Sequence, residues 1–356
     1  MKKINYYTPI NQTGYGIASL NILKSLDKLG YDFTYFPIGK PSVTSQDDYD
    51  IVTKHYTDSP DPSGPCVKIW HQFDLTNKIG NGRYFAYSFF ELDTFNDLEK
   101  RSMLFPDVFL TSSQWASDVL RENGITQPTS IIPLGVDRSI FDHEKFTKTQ
   151  NLDKYIFLTI GKWEVRKCHD ILPEIFKKAF PTETDVELWI LASTTTNSYS
   201  TQKEVEDWKR LYSYDSRLKV LDSVPTHFDI AKLIGESDAG IYLSHAEGWN
   251  LELLETMAMN KPVISTNYSA HKEFCNENNC LLVDIEEKEK AYDGKAFQGQ
   301  GYWAKIEQKQ IDRTIDYMRF LYNNRLNTNE NGVETSKIYS WENSAKKLIG
   351  CINEYA

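Results

Sequence analysis

Three short stretches carry side chains whose types and spacing could do chemistry. The first is Ser244-His245-Ala246-Glu247-Gly248-Trp249-Asn250-Leu251-Glu252-Leu253-Leu254-Glu255, which follows an apolar run and opens a helix with Asn250 at the capping position. Free amides at a helix start, here around Gly248 to Leu251, together with the helix dipole favour a phosphate placed against them. Glu247 and Glu255 flank that place. A carboxylate is a poor neighbour for phosphate but a good acceptor for sugar hydroxyls. A capped helix with solvated glutamates reads the same residues at least as well.

The second stretch, Gly161-Lys162-Trp163-Glu164-Val165-Arg166-Lys167-Cys168-His169, lies just past another apolar run. With three basic residues and one acidic one it carries +2 inside a chain of −10. Lys162 and Lys167, in a strand-to-helix loop, can converge on one diphosphate; a solvated surface loop is the plainer alternative. The third stretch is Thr13-Gly14-Tyr15-Gly16. Its glycines let backbone approach a ligand closely. It lacks the third glycine of a dinucleotide-binding loop, and a simple tight turn explains it as well.

Elements must position these residues, and the chain supplies them. At roughly 150 residues per domain, 356 residues make about two domains, and 40% hydrophobic content is ample for two cores. Short apolar runs alternate with amphipathic segments, the pattern of parallel α/β architecture. Candidate strands are Ile4–Tyr7, Phe33–Phe36, Val67–His71, Tyr84–Phe89, Val108–Thr111 and Thr129–Ile132, with a helix over Ile17–Leu29. A second series follows at Tyr155–Ile160, Leu188–Ala192, Lys219–Leu221, Gly240–Leu243, Pro262–Ser265 and Cys280–Val283. Helices over Ile171–Phe180, Asp229–Glu236 and Leu251–Met259 fall between these strands. Two doubly wound units joined near residue 150 fit this pattern, and residues 286–301 read as an irregular surface excursion.

Composition excludes several classes. A net charge of −10 is the wrong sign for a general nucleic-acid or polybasic membrane binder, so an anionic ligand needs a local site. Five scattered cysteines with no C-x-x-C spacing give no disulfide framework and no zinc site. The start of the chain lacks the apolar run of a signal peptide, and no stretch approaches the roughly 18 apolar residues of a membrane span. A soluble, cytoplasmic protein is expected.

Together the three stretches resemble the retaining GT-B glycosyltransferases of glycosyltransferase family 4, and the resemblance covers most of the chain. Glu247 and Glu255 fit the family's E-x7-E motif, with Gly248 behind the first glutamate. Lys162 and Lys167 fit its basic pair, whose first member is more often arginine. Pro133-Leu134-Gly135-Val136-Asp137 with Phe141 fits its link into the second domain, and Tyr339 to Ala345 is similar to the segment where its last helix crosses back. In the loop from Thr266 to Glu273, Tyr268-Ser269-Ala270-His271 replaces the family's glycines.

The resemblance implies a GT-B fold: two Rossmann-like doubly wound domains facing across a cleft. It implies an acceptor-binding domain over residues 1–150 with 338–356 crossing back, and a donor-binding domain over residues 151–337. It also implies transfer of a hexose from a UDP- or GDP-sugar to a hydroxyl acceptor, with retention, no metal and no further cofactor. Lys162 and Lys167 would hold the diphosphate, Glu255 the ribose and Glu247 the sugar hydroxyls, with amides from Gly248 through Trp249 and Asn250 to Leu251 facing the leaving group. Gly14, Tyr15 and Gly16 would lie against the donor from the first domain. Many members carry a cleft histidine where this chain has Phe89-Phe90-Glu91, so Glu91 is the candidate for positioning the acceptor and His71 the second. For Glu91 a plain surface carboxylate is an equal reading, and His71 leans towards a structural role. Trp163 and Trp249 either stack on donor or pack. The acceptor stays open among glycan, small metabolite and modified polymer, read by loops 40–65 and 72–83. A sugar-nucleotide epimerase on the same fold, or a non-catalytic sugar-nucleotide binder, is the alternative.

Overall fold

In the computed structural model, which describes residues 3–57, 59–193 and 201–355, the apolar runs form two parallel sheets of six strands each. The first series is β1 (Ile4–Thr8), α1 (Gly14–Lys28), β2 (Phe33–Pro37), α2 (Gln46–His55), β3 (Cys66–Ile69), β4 (Tyr84–Tyr87), α3 (Asp97–Ser102), β5 (Val108–Thr111), α4 (Gln114–Glu122) and β6 (Thr129–Ile131). The second opens with β7 (Tyr155–Lys162), α5 (Leu172–Ala179), β8 (Val186–Ser193), α6 (Gln202–Ser213), β9 (Leu218–Val220), α7 (His227–Glu236) and β10 (Ala239–Tyr242). It continues with α8 (Leu251–Ala258), β11 (Val263–Asn267), α9 (His271–Phe274), β12 (Leu281–Asp284), β13 (Lys288–Tyr292), β14 (Gln298–Ala304) and α10 (Gln308–Asn323). Helices α11 (Glu330–Ile338) and α12 (Trp341–Tyr355) end the chain.

One unit comprises Met1–Asp137 with Ile338–Ala356, and the other Arg138–Lys337. The first sheet runs β2-β1-β3-β4-β5-β6 and the second β12-β11-β10-β7-β8-β9. Both are covered on two faces, which is why their strands are continuous apolar runs, not alternating ones. Phe157, Leu188, Ile190 and Ile241 centre the core of the second unit, with Phe176 of α5 and Met318 of α10 packed on it. Among the described residues no helix is long and apolar enough to cross a membrane.

The first unit regains the end of the chain by a close backbone approach. Val136 N–H donates to Tyr339 O at 3.0 Å, Ser344 Oγ donates to Pro133 O at 2.6 Å, and α12 lies against α1. A Cβ on Gly135 would stand 2.2 Å from the Trp341 nitrogen, so only glycine permits this crossing. The units divide after Asp137, ahead of residue 150, because the intervening segment packs on the second unit. Phe146 meets the Phe228 ring at 4.9 Å, and Lys148 Nζ reaches Asp238 at 2.6 Å.

Three local readings need correcting. Residues 286–301 are not irregular: β13 and β14 make an antiparallel hairpin there, whose charged outer face hid its period while Ala291, Trp303 and Ala304 point inward. The stretch 40–65 is not all loop, since Ser45 caps α2 by accepting from the Asp48 amide at 3.1 Å. Two first-unit strands stop two residues early, at Ile69 and Tyr87, because side chains take the next backbone groups. Ser88 Oγ donates to Trp70 O at 2.7 Å, and the Phe89 amide donates to the Tyr15 hydroxyl at 2.8 Å.

Candidate functional site

The strand order of the second unit sends the chain from β7 to one side and from β10 to the other. A crevice therefore opens at the carboxyl ends of these two neighbours, the position where doubly wound sheets hold ligands. The two chemistry-bearing stretches of the second unit both emerge there, one from β7 and one from β10.

Glu247 is the centre of that place. It is 4% exposed, a costly setting for a carboxylate unless it is paired. Arg166 Nη1 stands 2.7 Å from Oε2, Lys167 Nζ 2.8 Å from Oε1, and Ser244 Oγ donates to Oε1 at 2.8 Å. Burial pushes the carboxyl up, but Arg166 and then Lys167 outweigh it and hold Glu247 well below the usual carboxylate range. Lys167 is also buried, which alone would lower it; Glu247 and Glu252 reverse that and keep it a cation. Its second carboxylate, Glu252, lies 4.0 Å away.

The positive charge of the 161–169 loop is therefore not a free field. Arg166 is spent on Glu247 and on Glu164 at 2.9 Å, while the more open Lys162 lies 3.9 Å from Glu164. Beside them lie Lys162 and the start of α8.

That helix start is built by side chains far apart in sequence. Asn250, at φ 81°, accepts from the Leu253 amide at 3.2 Å and donates to His271 Nε2 at 2.9 Å. His271 is buried, which lowers it to about 4 and keeps it neutral. Its Nε2 accepts, so Nδ1 carries the proton and donates to Thr266 O at 3.0 Å. In place of the family glycines, Ser269 adopts φ 51° and its Oγ accepts from the Glu247 amide at 2.8 Å. A serine thus takes the left-handed conformation that favours glycine and adds a hydrogen bond that glycine lacks. Trp249 is buried against Phe274 at 4.8 Å, and Trp163 is buried among Trp208 and Tyr212. Both tryptophans are packing residues; neither presents a face to a ligand.

Glu255 lies one turn inside α8, also buried. Burial, then the charge of Glu252, push its carboxyl well above the usual glutamate range, and His227 Nδ1 stands 3.9 Å from Oε1. The folded chain therefore holds a proton here that the unfolded chain releases, and stability falls as pH rises above the ordinary glutamate value. Glu255→Gln is expected to raise the Tm by a few degrees at pH 8 and to leave it unchanged at pH 4 in calorimetric scans. Equal Tm values for the two proteins at pH 8 would show that Glu255 is ionised without ligand.

Residues 154–294, two fifths of the chain, match the family Glycosyl transferases group 1. Solved structures extend the likeness in fold over nearly the whole length. Sucrose-phosphate synthase from Thermosynechococcus elongatus is 13% identical with a TM-score of 0.72, and the alignment covers 99% of each chain. A glycosyltransferase from Rickettsia africae is 15% identical, with the same TM-score of 0.72 and 99% coverage of both. The chain has the GT-B fold. HepE from Anabaena, solved with UDP and glucose, is 13% identical with a TM-score of 0.67 over 99% of each chain. None of the curated proteins compared with this chain matches it.

The remaining expected residues lie in the first unit. Gly14, Tyr15 and Gly16 follow β1, and His71 follows β3, its neighbour in the sheet, so this is the switch point of the first sheet. A Cβ on Gly16 would stand 2.3 Å from Asn11 backbone atoms, whereas one on Gly14 would meet nothing within 4 Å. Tyr15 closes its hydroxyl onto Phe89, donating to its oxygen at 2.7 Å, and packs its ring on His71 at 4.5 Å. Its hydroxyl is thus committed to the loop after β4. Glu91, half-buried on that loop, adds its charge to the burial that pushes the Tyr15 hydroxyl up. The structure brings Lys167, Glu247, Gly248, Asn250 and Leu251 into one constellation, with Lys162 and Glu255 at its edges. Sequence reasoning counted Arg166 only as charge and missed the support from Ser244, Ser269 and His271. Their signal was the polar content of two otherwise apolar strand ends. Among the described residues no three His, Cys, Asp or Glu side chains are grouped to hold a metal ion.

Proposed function

We propose that the chain transfers a hexosyl group, with retention, from a UDP- or GDP-sugar to a hydroxyl of an acceptor. The observation that carries this reading is the buried Glu247 carboxylate, held ionised between Arg166 and Lys167 beside the amino end of α8. A carboxylate so fixed accepts hydroxyl hydrogens of a neutral sugar, while cations and amides beside it take a diphosphate. HepE, solved with UDP-glucose in another crystal, supports a nucleotide-diphosphate donor for this fold.

In this reading Lys162 and Lys167 hold the diphosphate, Glu255 accepts from the ribose, and the amides from Gly248 to Leu251 meet the charge that grows on the leaving group. The C1–O bond to the β-phosphate breaks and the nucleotide leaves with the electron pair. The acceptor oxygen bonds C1 on the same face, and its proton passes to the departing phosphate oxygen. Groups already in place supply the stabilisation, worth about 3–4 kcal/mol for each donor aimed at the developing charge. The charge is met by lysines and amides without a metal ion. Residues 1–137 with 338–356 present the acceptor, with Glu91 as the group that positions its hydroxyl.

A thermal-shift series over UDP- and GDP-sugars tests the reading, with one donor expected to raise the Tm in proportion to its occupancy. Proton NMR of the product from that donor should show the anomeric configuration unchanged, and EDTA should leave turnover intact. An epimerised donor and no transfer, or binding with neither transfer nor donor hydrolysis, would overturn it.

A further inference from the structure

The β13–β14 hairpin stands outside the six-stranded sheet, yet its end is tied to the residues around Glu247. Trp303, 2% exposed, stacks on the His245 ring at 4.7 Å and 22°. The Ala304 amide donates to His245 O at 2.8 Å, and His245 Nδ1 pairs with Ala304 O at 2.7 Å. A carbonyl only accepts, so Nδ1 carries the proton. The His245 amide then donates to Arg166 O at 2.8 Å. Arg166 in turn donates to Ala246 O at 2.8 Å and sets its guanidinium 2.7 Å from Glu247 Oε2. Hairpin, β10 loop and β7 loop are therefore one hydrogen-bonded unit.

The lone pairs of Glu247 show what this unit decides. An ionised carboxylate offers about four acceptor sites. Ser244 Oγ donates to Oε1, Lys167 pairs with the same oxygen, and Arg166 pairs with Oε2. The direction in which Oε2 can accept from a ligand depends on where Arg166 sits.

We infer that the β13–β14 hairpin is a brace for the sugar-reading carboxylate, acting through His245 on Arg166 to aim Oε2 of Glu247. His245 and Trp303 are positioning residues in this scheme, and the hairpin sets selectivity for a single hydroxyl of the donor sugar. The inference rests on the glycosyl-transfer reading given above.

The test compares two affinities in the full chain, measured by calorimetry for a nucleotide and for its sugar conjugate: UDP with UDP-glucose, and GDP with GDP-mannose. His245→Phe keeps a ring against Trp303 but removes the Nδ1 donor. It is expected to weaken the sugar nucleotide about tenfold, to lower kcat/KM about as much, and to leave the bare nucleotide within twofold of wild type. His245→Asn, which keeps a side-chain N–H, should recover most of the loss. Trp303→Phe, a smaller core change, gives the same split if His245→Phe does not fold. An unchanged ratio of the two affinities in His245→Phe or Trp303→Phe would overturn the brace, as would an equal loss for nucleotide and conjugate. A wild-type chain that binds neither conjugate would instead overturn the glycosyl-transfer reading, and the brace with it.

Discussion

Glu247→Ala is expected to lower kcat/KM by at least about 10²-fold and to destabilise the second unit by roughly 3 kcal/mol, the lower end of the cost of breaking a buried pair. Two effects combine. The sugar loses its acceptor, and two buried cations lose their shared counter-ion. The cost stays at the lower end because Arg166 keeps Glu164 at 2.9 Å and Lys167 keeps Glu252 at 4.0 Å. The pH dependence has a definite sign. The Glu247 carboxyl is held far below its ordinary range, so its stabilisation is present above that range and is lost only as acid titrates the folded carboxylate. Glu247→Gln separates the effects, since an amide oxygen still accepts from Ser244 while the charge is gone. Denaturant unfolding at pH 7 should rank wild type above Gln above Ala, with both variants impaired in turnover. An alanine variant as stable and as active as wild type would remove Glu247 from both roles.

Lys167→Ala is expected to cost about 10²–10³-fold in kcat/KM, more than Lys162→Ala, for which about tenfold is expected. Lys167 is buried, faces two carboxylates and approaches Gly161 so closely that a Cβ there would stand 3.3 Å from its Cδ. Its cationic charge therefore acts in low dielectric, where each interaction counts for more than at the surface. Lys162 is a third exposed and is partly screened. Lys167→Arg is not expected to rescue, because a planar fork does not fit the space beside Gly161. The Lys167 and Glu247 losses should be far from additive, since each removes the other's partner. Steady-state kinetics of the two single variants and the double variant measure this directly. Wild-type turnover in Lys167→Ala would refute the diphosphate assignment.

Much of this molecule was legible because its signals are local. Strands buried on both faces read as apolar runs, and nearly every expected one falls within two residues of an observed strand. Motifs at strand ends were legible for the same reason: Lys162 ends β7, Lys167 follows it, and Glu247 follows β10. The hairpin escaped because only Ala291, Trp303 and Ala304 are buried side chains of it beside Gly301, too few to set a period in a run of Glu, Lys, Gly and Gln. What the sequence could not show is that the Tyr15 hydroxyl is engaged 74 residues away, by Phe89. Trp249, for which stacking on a donor and packing read equally from type alone, packs on Phe274.

By itself, then, the sequence determined the architecture and the cast of the site: two doubly wound units, a carboxylate pair at a helix start and a basic loop past a strand. Hydrophobic period and residue type depend on near neighbours, and these are properties of near neighbours. Only the tertiary structure decided the charge state and the direction of each group. The Glu247 carboxyl is held low and the Glu255 carboxyl pushed high although both are buried glutamates on the same motif, because Arg166 and Lys167 fold onto the first while Glu252 faces the second. Electrostatic state follows distance in space, and the β7 loop lies some eighty residues from the carboxylate it holds, as with Arg166 and Ala246.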